Sequence, residues 1–166
     1  MSDGLTGALE RRGARVVRRA FPRYTEDVHA ALIKDALHGR LGESAHGMAV
    51  LFALDRLGAK EKLAADLASA DVLLLDRYIA SNAAYLAARL RQSAAGEGVT
   101  WVRELEIDRF GIPVPDAQIL LRVPSDVAGR RRTVHSRLRH PRGDSSRRLA
   151  SPAVRVVHPF YDNAAR

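Results

Sequence analysis

VLLLDRYIASNAAYLAARLR, from Val72 to Arg91, is the stretch that decides the fold. Val72 to Leu75 is an apolar run without alternation, the pattern of a strand buried on both faces of a parallel sheet. Asp76-Arg77-Tyr78 ends that run with two charges and a phenol. Ser81-Asn82 reads as a short polar break before an alanine- and leucine-rich helix that continues to about Gln92. In open α/β sheets ligands bind beyond the carboxyl ends of the strands, which is where Asp76, Arg77 and Tyr78 fall. An Arg there is a natural phosphate ligand, and Asn82 and Tyr85, three apart, share one helix face.

The pattern to either side is an alternation of strands and helices. Leu5 and Leu9 followed by Gly13 read as a helix tail and its glycine stop. Ala14 to Ala20 is a short strand, and Phe21-Pro22-Arg23-Tyr24 follows it, with Pro22 ending ladder pairing. Glu26 to Leu37 is a helix. Glu43 or Ser44 caps a long helix expected to run to about Ala70, ahead of the strand at Val72. Val99 to Phe110 is helical, with Trp101, Leu105 and Asp108 on one side, and Gly111 stops it. Pro113 and Pro115 punctuate the turn before a strand from Gln118 to Val123. Strands alternating with helices of this length imply βαβ units and a parallel sheet.

The 166 residues suffice for one domain with a core, and the absence of cysteine excludes disulfides, thiolate zinc sites and cysteine nucleophiles. The N-terminus lacks the apolar stretch of a signal peptide and no apolar run reaches membrane-spanning length, so a soluble cytoplasmic protein without membrane contact is expected. The six His are dispersed, which gives a nucleotide-independent metal site little support. The net charge of +8 is unevenly placed: ten Arg and two Asp lie from Gly129 to Arg166, and residues 1–128 are neutral, with 17 basic and 17 acidic side chains. The expected organisation is a domain over 1–128 and an Arg-rich tail over 129–166 that is too poor in apolar residues to order itself. The tail alone supports an alternative reading as a nucleic-acid binder, because clustered Arg supplies a non-specific electrostatic attraction to phosphates.

Taken singly, the polar and aromatic residues along the domain have plain readings. Met48, Phe52 and Arg56, spaced by four, form one helix column that either stacks a base and bonds its exocyclic oxygen or is two core residues and a solvated end. Phe21 to Tyr24 is either a strand-end turn or a phosphate and sugar clamp. Asp76-Arg77 is either an ion pair or a phosphate site, Asn82 a helix cap or a ligand contact, and Tyr85 a half-buried aromatic or part of a pocket.

Together, FPRY at 21–24, LFALDR at 51–56, DRYIASNAAYLAARL at 76–90, WVRELE at 101–106 and GIPVPD at 111–116 resemble the thymidylate kinases, of the actinobacterial type, in order and spacing from about Leu5 to Val127. The resemblance implies an α/β fold of the P-loop nucleoside monophosphate kinase kind, a parallel sheet flanked by helices. It also implies a cytosolic homodimer that transfers the γ-phosphoryl group of ATP to dTMP with Mg2+. Phe52 would then stack on thymine and Arg56 would bond its O4. Asn82 would contact the base, Tyr85 would crowd the 2′ position, and Phe21 would line the pocket. Tyr24 and Arg77 would hold the acceptor phosphate, with Arg77 and Asp76 as the catalytic pair and Asp76 organising phosphates and metal. Phosphoryl transfer asks mainly for positioning and charge neutralisation, which such residues supply.

Two features depart from the family. No G-x-x-x-x-G-K-S/T loop occurs, so the backbone cradle, lysine and Mg-binding hydroxyl of an ATP site have no counterpart, and Met1 to Leu5 reads as a start inside the helix after such a loop. The first, central strand of the sheet is missing with it. From Gly129 onward nothing matches the family's lid, a break of the kind a change of reading frame produces. The expectation is a kinase inactive as written, with a dTMP-binding remnant or a dimer partner as the alternative.

Overall fold

Val16–Ala20 (β1) and Val72–Asp76 (β2) pair in parallel, in a register that sets Val16 opposite Val72 and Ala20 opposite Asp76. This is a computed structural model, which describes residues 2–122 and 153–157. The chain divides into two units, Met1–Val114 and Pro115–Arg166, and each is described by itself.

In the first unit Ser2–Glu10 (α1) precedes β1 and packs on both strands. Between the strands come Val28–Leu37 (α2), Ala45–Gly58 (α3) and Lys60–Ser69 (α4). After β2 come Ile79–Arg89 (α5), Glu97–Arg103 (α6) and a π-helical turn, Glu104–Arg109. Asp27 caps α2 by accepting from His29 N (2.7 Å), and Ser44 caps α3 by accepting from Gly47 N (3.0 Å). Each supplies an acceptor to a backbone donor that the helix leaves unpaired. The core lies where α3 meets α2 and α5: Ala30 and Ile33, Ala49 and Ala53, and Ile79, Ala83 and Leu86 are all buried. Alanine at these positions lets the helix backbones approach closely.

Four sequence expectations change. The long helix over 44–70 is two helices, because the chain tightens at Gly58-Ala59. There Ala59 N–H bonds Arg56 O (3.0 Å) and Ala59 O accepts from Leu63 as α4 begins. Glycine is among the weakest helix formers, so the break falls at the least costly place. Ser81-Asn82 is not a break, since α5 starts at Ile79 with both residues in its first turn. The helix expected from Val99 starts at Glu97, and it buries Gly98, Val102 and Glu106, a different side from that of Trp101, Leu105 and Asp108. Gly111, at φ +62°, closes that segment, and Lys60 Nζ donates to the carbonyl of Phe110 just before it (2.7 Å). Finally, β2 is half-buried along Val72–Leu75, because among the described residues it has a strand on one side only.

In the second unit Gln118–Arg122 (β3) pairs antiparallel with Ala153–Val157 (β4), Gln118 facing Val157 and Arg122 facing Ala153. The disorder expected of 129–166 otherwise falls outside the described residues.

A bidentate ion pair joins β1 to α4: Arg19 Nε and Nη2 donate to Asp66 Oδ2 and Oδ1 at 2.7 and 2.8 Å. The Arg19 hydrogen bonds hold the Asp66 carboxyl below its ordinary value, against the opposing effect of burial. A depressed carboxyl stabilises the fold above its unfolded pKa of about 4 and ceases to do so as pH falls through the lower folded value. Asp66→Asn is expected to cost about 1–2 kcal/mol at pH 7 by urea unfolding, with the difference from the parent shrinking once acid has protonated Asp66.

Candidate functional site

Both motif segments leave the sheet at the same end. Ala20 sits opposite Asp76, and Phe21 N–H donates to Asp76 O (3.0 Å), so Phe21-Pro22-Arg23-Tyr24 and Asp76-Arg77-Tyr78 run side by side beyond the strand ends. The Phe21–Pro22 peptide is cis, and the Phe21 and Tyr78 rings lie 6.0 Å apart. Arg77 has φ +58°, the left-handed region that a side chain disfavours. A non-glycine residue held there costs about 1 kcal/mol or more, and such strain gathers at ligand-binding positions. Asp76 and Arg77 are exposed, and among the described residues neither side chain has a hydrogen-bonded or charged protein partner. Tyr24 is 45% exposed and lines a cleft of about 400 Å3 with Arg19, Arg23 and Lys62. Those three cations are matched by Asp66, by Asp55 and Asp27, and by Glu26, and Arg18, which also lines the cleft, pairs with Asp3.

The unusual chemistry lies deeper. Arg56, in the last turn of α3, is 2% exposed, and Glu106, in the π-helical turn, is fully buried. Arg56 Nη2 donates to Glu106 Oε1 at 2.7 Å, and its Nε donates to Oε2. Asn82, 3% exposed on α5, donates from Nδ2 to the same Oε1 (2.8 Å) and to Ala49 O (3.0 Å). Neither acceptor can donate, so the network itself fixes the Asn82 amide with its nitrogen toward Glu106. Among the described residues Oδ1 is left buried with no donor, and Arg56 Nη1 likewise has no hydrogen-bonded protein partner. A buried acceptor without a donor is uncommon in a native fold and calls for a ligand or water. Aromatic rings flank this polar group: the Arg56 guanidinium lies 5.9 Å from the Phe21 ring centre, and Phe52 and Tyr85 meet edge-on at 6.1 Å.

A second anchor sets the Phe21 to Tyr24 turn. Asp55, fully buried beside Arg56, accepts from Arg23 N and Nε at 3.0 and 2.9 Å, while Arg23 Nη2 reaches Asp27 (2.8 Å) and Asp55 O. Burial pushes the Asp55 carboxyl up, with Arg23 opposing it. Burial would raise Asp27 as well, but the His29 hydrogen bonds and Arg23 outweigh it and hold Asp27 low. Gly58 makes room for this clamp, since a Cβ there would stand 2.7 Å from Asp27 Oδ2.

Phe21, Arg56 and Asn82 are thus drawn into one connected group, with Phe52 and Tyr85 as a second ring pair on the same helices, α3 and α5. Asp76 and Arg77 sit together at the end of β2, and Tyr24 stands apart at the surface. Sequence reasoning missed Glu106 and Asp55. A signal for Glu106 existed, since it falls four residues after Val102 on the face that Gly98 begins. Removing one partner of a buried ion pair strands the other charge, so Glu106→Ala is expected to cost about 3–5 kcal/mol by urea unfolding. The double variant Arg56→Met/Glu106→Leu, which removes both charges, is expected to recover most of that loss.

The chain matches the family model for thymidylate kinase over residues 2–145. It is 48% identical over 132 residues to the thymidylate kinases of two strains of Mycobacterium tuberculosis, an alignment covering 78% of this chain and 62% of theirs. It is also 35% identical over 120 residues to an Aeropyrum pernix protein with a provisional thymidylate kinase name, covering 68% of this chain and 50% of that one. The chain therefore spans less than two thirds of the length of these relatives. Its parallel strands and flanking helices belong to the P-loop nucleoside monophosphate kinase fold that this family implies. With nearly nine tenths of its residues inside the family match, the chain belongs to the thymidylate kinase family.

Proposed function

We propose that these residues form the dTMP-accepting side of a thymidylate kinase, which moves the γ-phosphoryl group of ATP to the phosphate of dTMP and yields ADP and dTDP. The observation that carries this reading is the buried Asn82 Oδ1, without a donor among the described residues, beside the Arg56 guanidinium. The imide edge of thymine has an N–H flanked by carbonyl oxygens: the N–H satisfies Asn82 Oδ1, and a carbonyl accepts from Arg56. Phe52, with Phe21 and Tyr85, supplies the aromatic surface for the base, and Tyr85 crowds the sugar where a 2′-hydroxyl would stand. Arg77, strained and without a protein partner among the described residues, takes the acceptor phosphate together with Tyr24.

The family reading carries ATP and Mg2+ with it. Asp76 fits a single carboxylate ligand of a Mg2+ ion otherwise held by phosphate oxygens and water. Among the described residues no three His, Cys, Asp or Glu side chains gather to hold a metal, and no G-x-x-x-x-G-K-S/T sequence occurs in the 166 residues. The residues in hand fit an acceptor nucleotide and do not by themselves build an ATP site. A homodimer and a cytosolic location belong to the same proposal. Among the described residues no helix is long and apolar enough to cross a membrane. The nucleic-acid reading rests on the Arg-rich tail and has no described side chain in its support.

Titration calorimetry on the 166-residue polypeptide tests the reading. It is expected to bind dTMP, to show no comparable heat with ATP, and to turn over ATP and dTMP well below about 1 s⁻¹, the lower end of kinase rates. Arg77→Ala is expected to weaken dTMP binding about 10- to 100-fold, the size of a lost charge-assisted hydrogen bond, while leaving thymidine binding unchanged. Binding of neither nucleotide by the parent chain overturns the proposal, as does an equal loss of dTMP and thymidine in the variant.

A further inference from the structure

The geometry points to Glu106 as the specificity-determining positioning residue of this site: with the Ala49 carbonyl, its carboxylate sets which end of the Asn82 amide faces the base, and so selects thymine over cytosine. The inference rests on the dTMP reading above. Glu106 Oε1 accepts from both Arg56 Nη2 (2.7 Å) and Asn82 Nδ2 (2.8 Å), and Oε2 accepts from Arg56 Nε. An ionised carboxylate only accepts, so it forces three donors inward at once. The Asn82 nitrogen is thereby committed to Glu106 and Ala49, and Oδ1 remains as a bare buried acceptor. A base that presents a ring N–H satisfies that acceptor, as thymine and uracil do. Cytosine presents a ring nitrogen lone pair at the same position, which would face the Asn82 oxygen. Its exocyclic amine, in place of a carbonyl, would face the Arg56 donors. Glu106 never touches the base in this scheme; it acts by holding Asn82 and Arg56. The π-helical turn that carries Glu106 spans Glu104–Arg109, and such turns recur at functional sites.

Glu106→Gln keeps the shape and removes the exclusively accepting character. One amide oxygen cannot serve three donors, and an N–H turned toward Asn82 opposes the hold of the Ala49 carbonyl on Nδ2, so the amide loses its single orientation and its NH2 becomes available to a cytosine lone pair. Calorimetric titration of the full chain with dTMP and with dCMP reads the effect. The parent is expected to favour dTMP by about 100-fold or more, and Glu106→Gln to bring that ratio down to about 10-fold or less, since a site built around a buried hydrogen bond discriminates by what it leaves unpaired. A purely structural role would lower the melting temperature and leave the dTMP to dCMP ratio unchanged. An unchanged ratio in a folded variant overturns the inference while leaving the dTMP reading in place, whereas a parent chain that does not bind dTMP overturns both. Should Glu106→Gln not fold, the comparison moves to Arg56→Gln against Arg56→Gln/Glu106→Gln, in which no buried charge is stranded. A lower ratio in the double variant is the expected result, and equal ratios overturn the inference.

Discussion

The candidate base site of the first unit depends on one buried ion pair, Arg56 with Glu106, and on the amide of Asn82 that shares its carboxylate. Burying two charges is expensive, and a pair of this kind seldom stabilises a fold more than well-packed apolar side chains would. Its effect here is on position. It ties the end of α3 to the π-helical turn and to α5, three segments distant in sequence, and it leaves one donor group and one acceptor without partners among the described residues. A site arranged in this way meets its ligand with the hydrogen-bonding groups already oriented, so less ordering is needed on binding.

The neighbouring residue completes the arrangement. Asp55 and Arg56 are consecutive on α3 and therefore point in different directions around the helix, about 100° apart. Asp55 holds the Phe21 to Tyr24 turn through Arg23, and Arg56 holds Glu106. One turn of one helix thereby fixes both walls of the site, with Phe21 close enough for its ring to face the Arg56 guanidinium. The break at Gly58-Ala59 follows directly, and the small Gly58 lets the Arg23–Asp27 contact lie against the helix end. The strand ends contribute separately: the parallel pairing of β1 and β2 brings Asp76 and Arg77 alongside Phe21, and the left-handed backbone at Arg77 orders a side chain that no described residue engages.

Much of this was legible in the sequence. The apolar run at Val72–Leu75, the strand before Phe21 and the alternation with helices gave the parallel α/β reading, because each is a local pattern that burial enforces. The Asn82 and Tyr85 spacing and the Phe52 and Arg56 spacing placed those residues on two helix faces. What the pattern did not carry was which side of the 97–109 segment turns inward. The small Gly98 and Val102 let one face approach α5, and Glu106 follows them into the interior. A glutamate at such a position reads as solvated until its two partners, 50 and 24 residues away, are known to meet it. The same holds for Asp55, whose partner Arg23 lies 32 residues earlier.

Side-chain 15N–1H spectroscopy of Arg56 and Asn82 in the ligand-free chain tests most directly whether the network stands ready before any nucleotide arrives. The account predicts an Arg56 Nε–H and an Asn82 amide pair that exchange slowly with solvent and shift on addition of dTMP while remaining protected. Rapid exchange of both groups, with protection appearing only after dTMP is added, would contradict it.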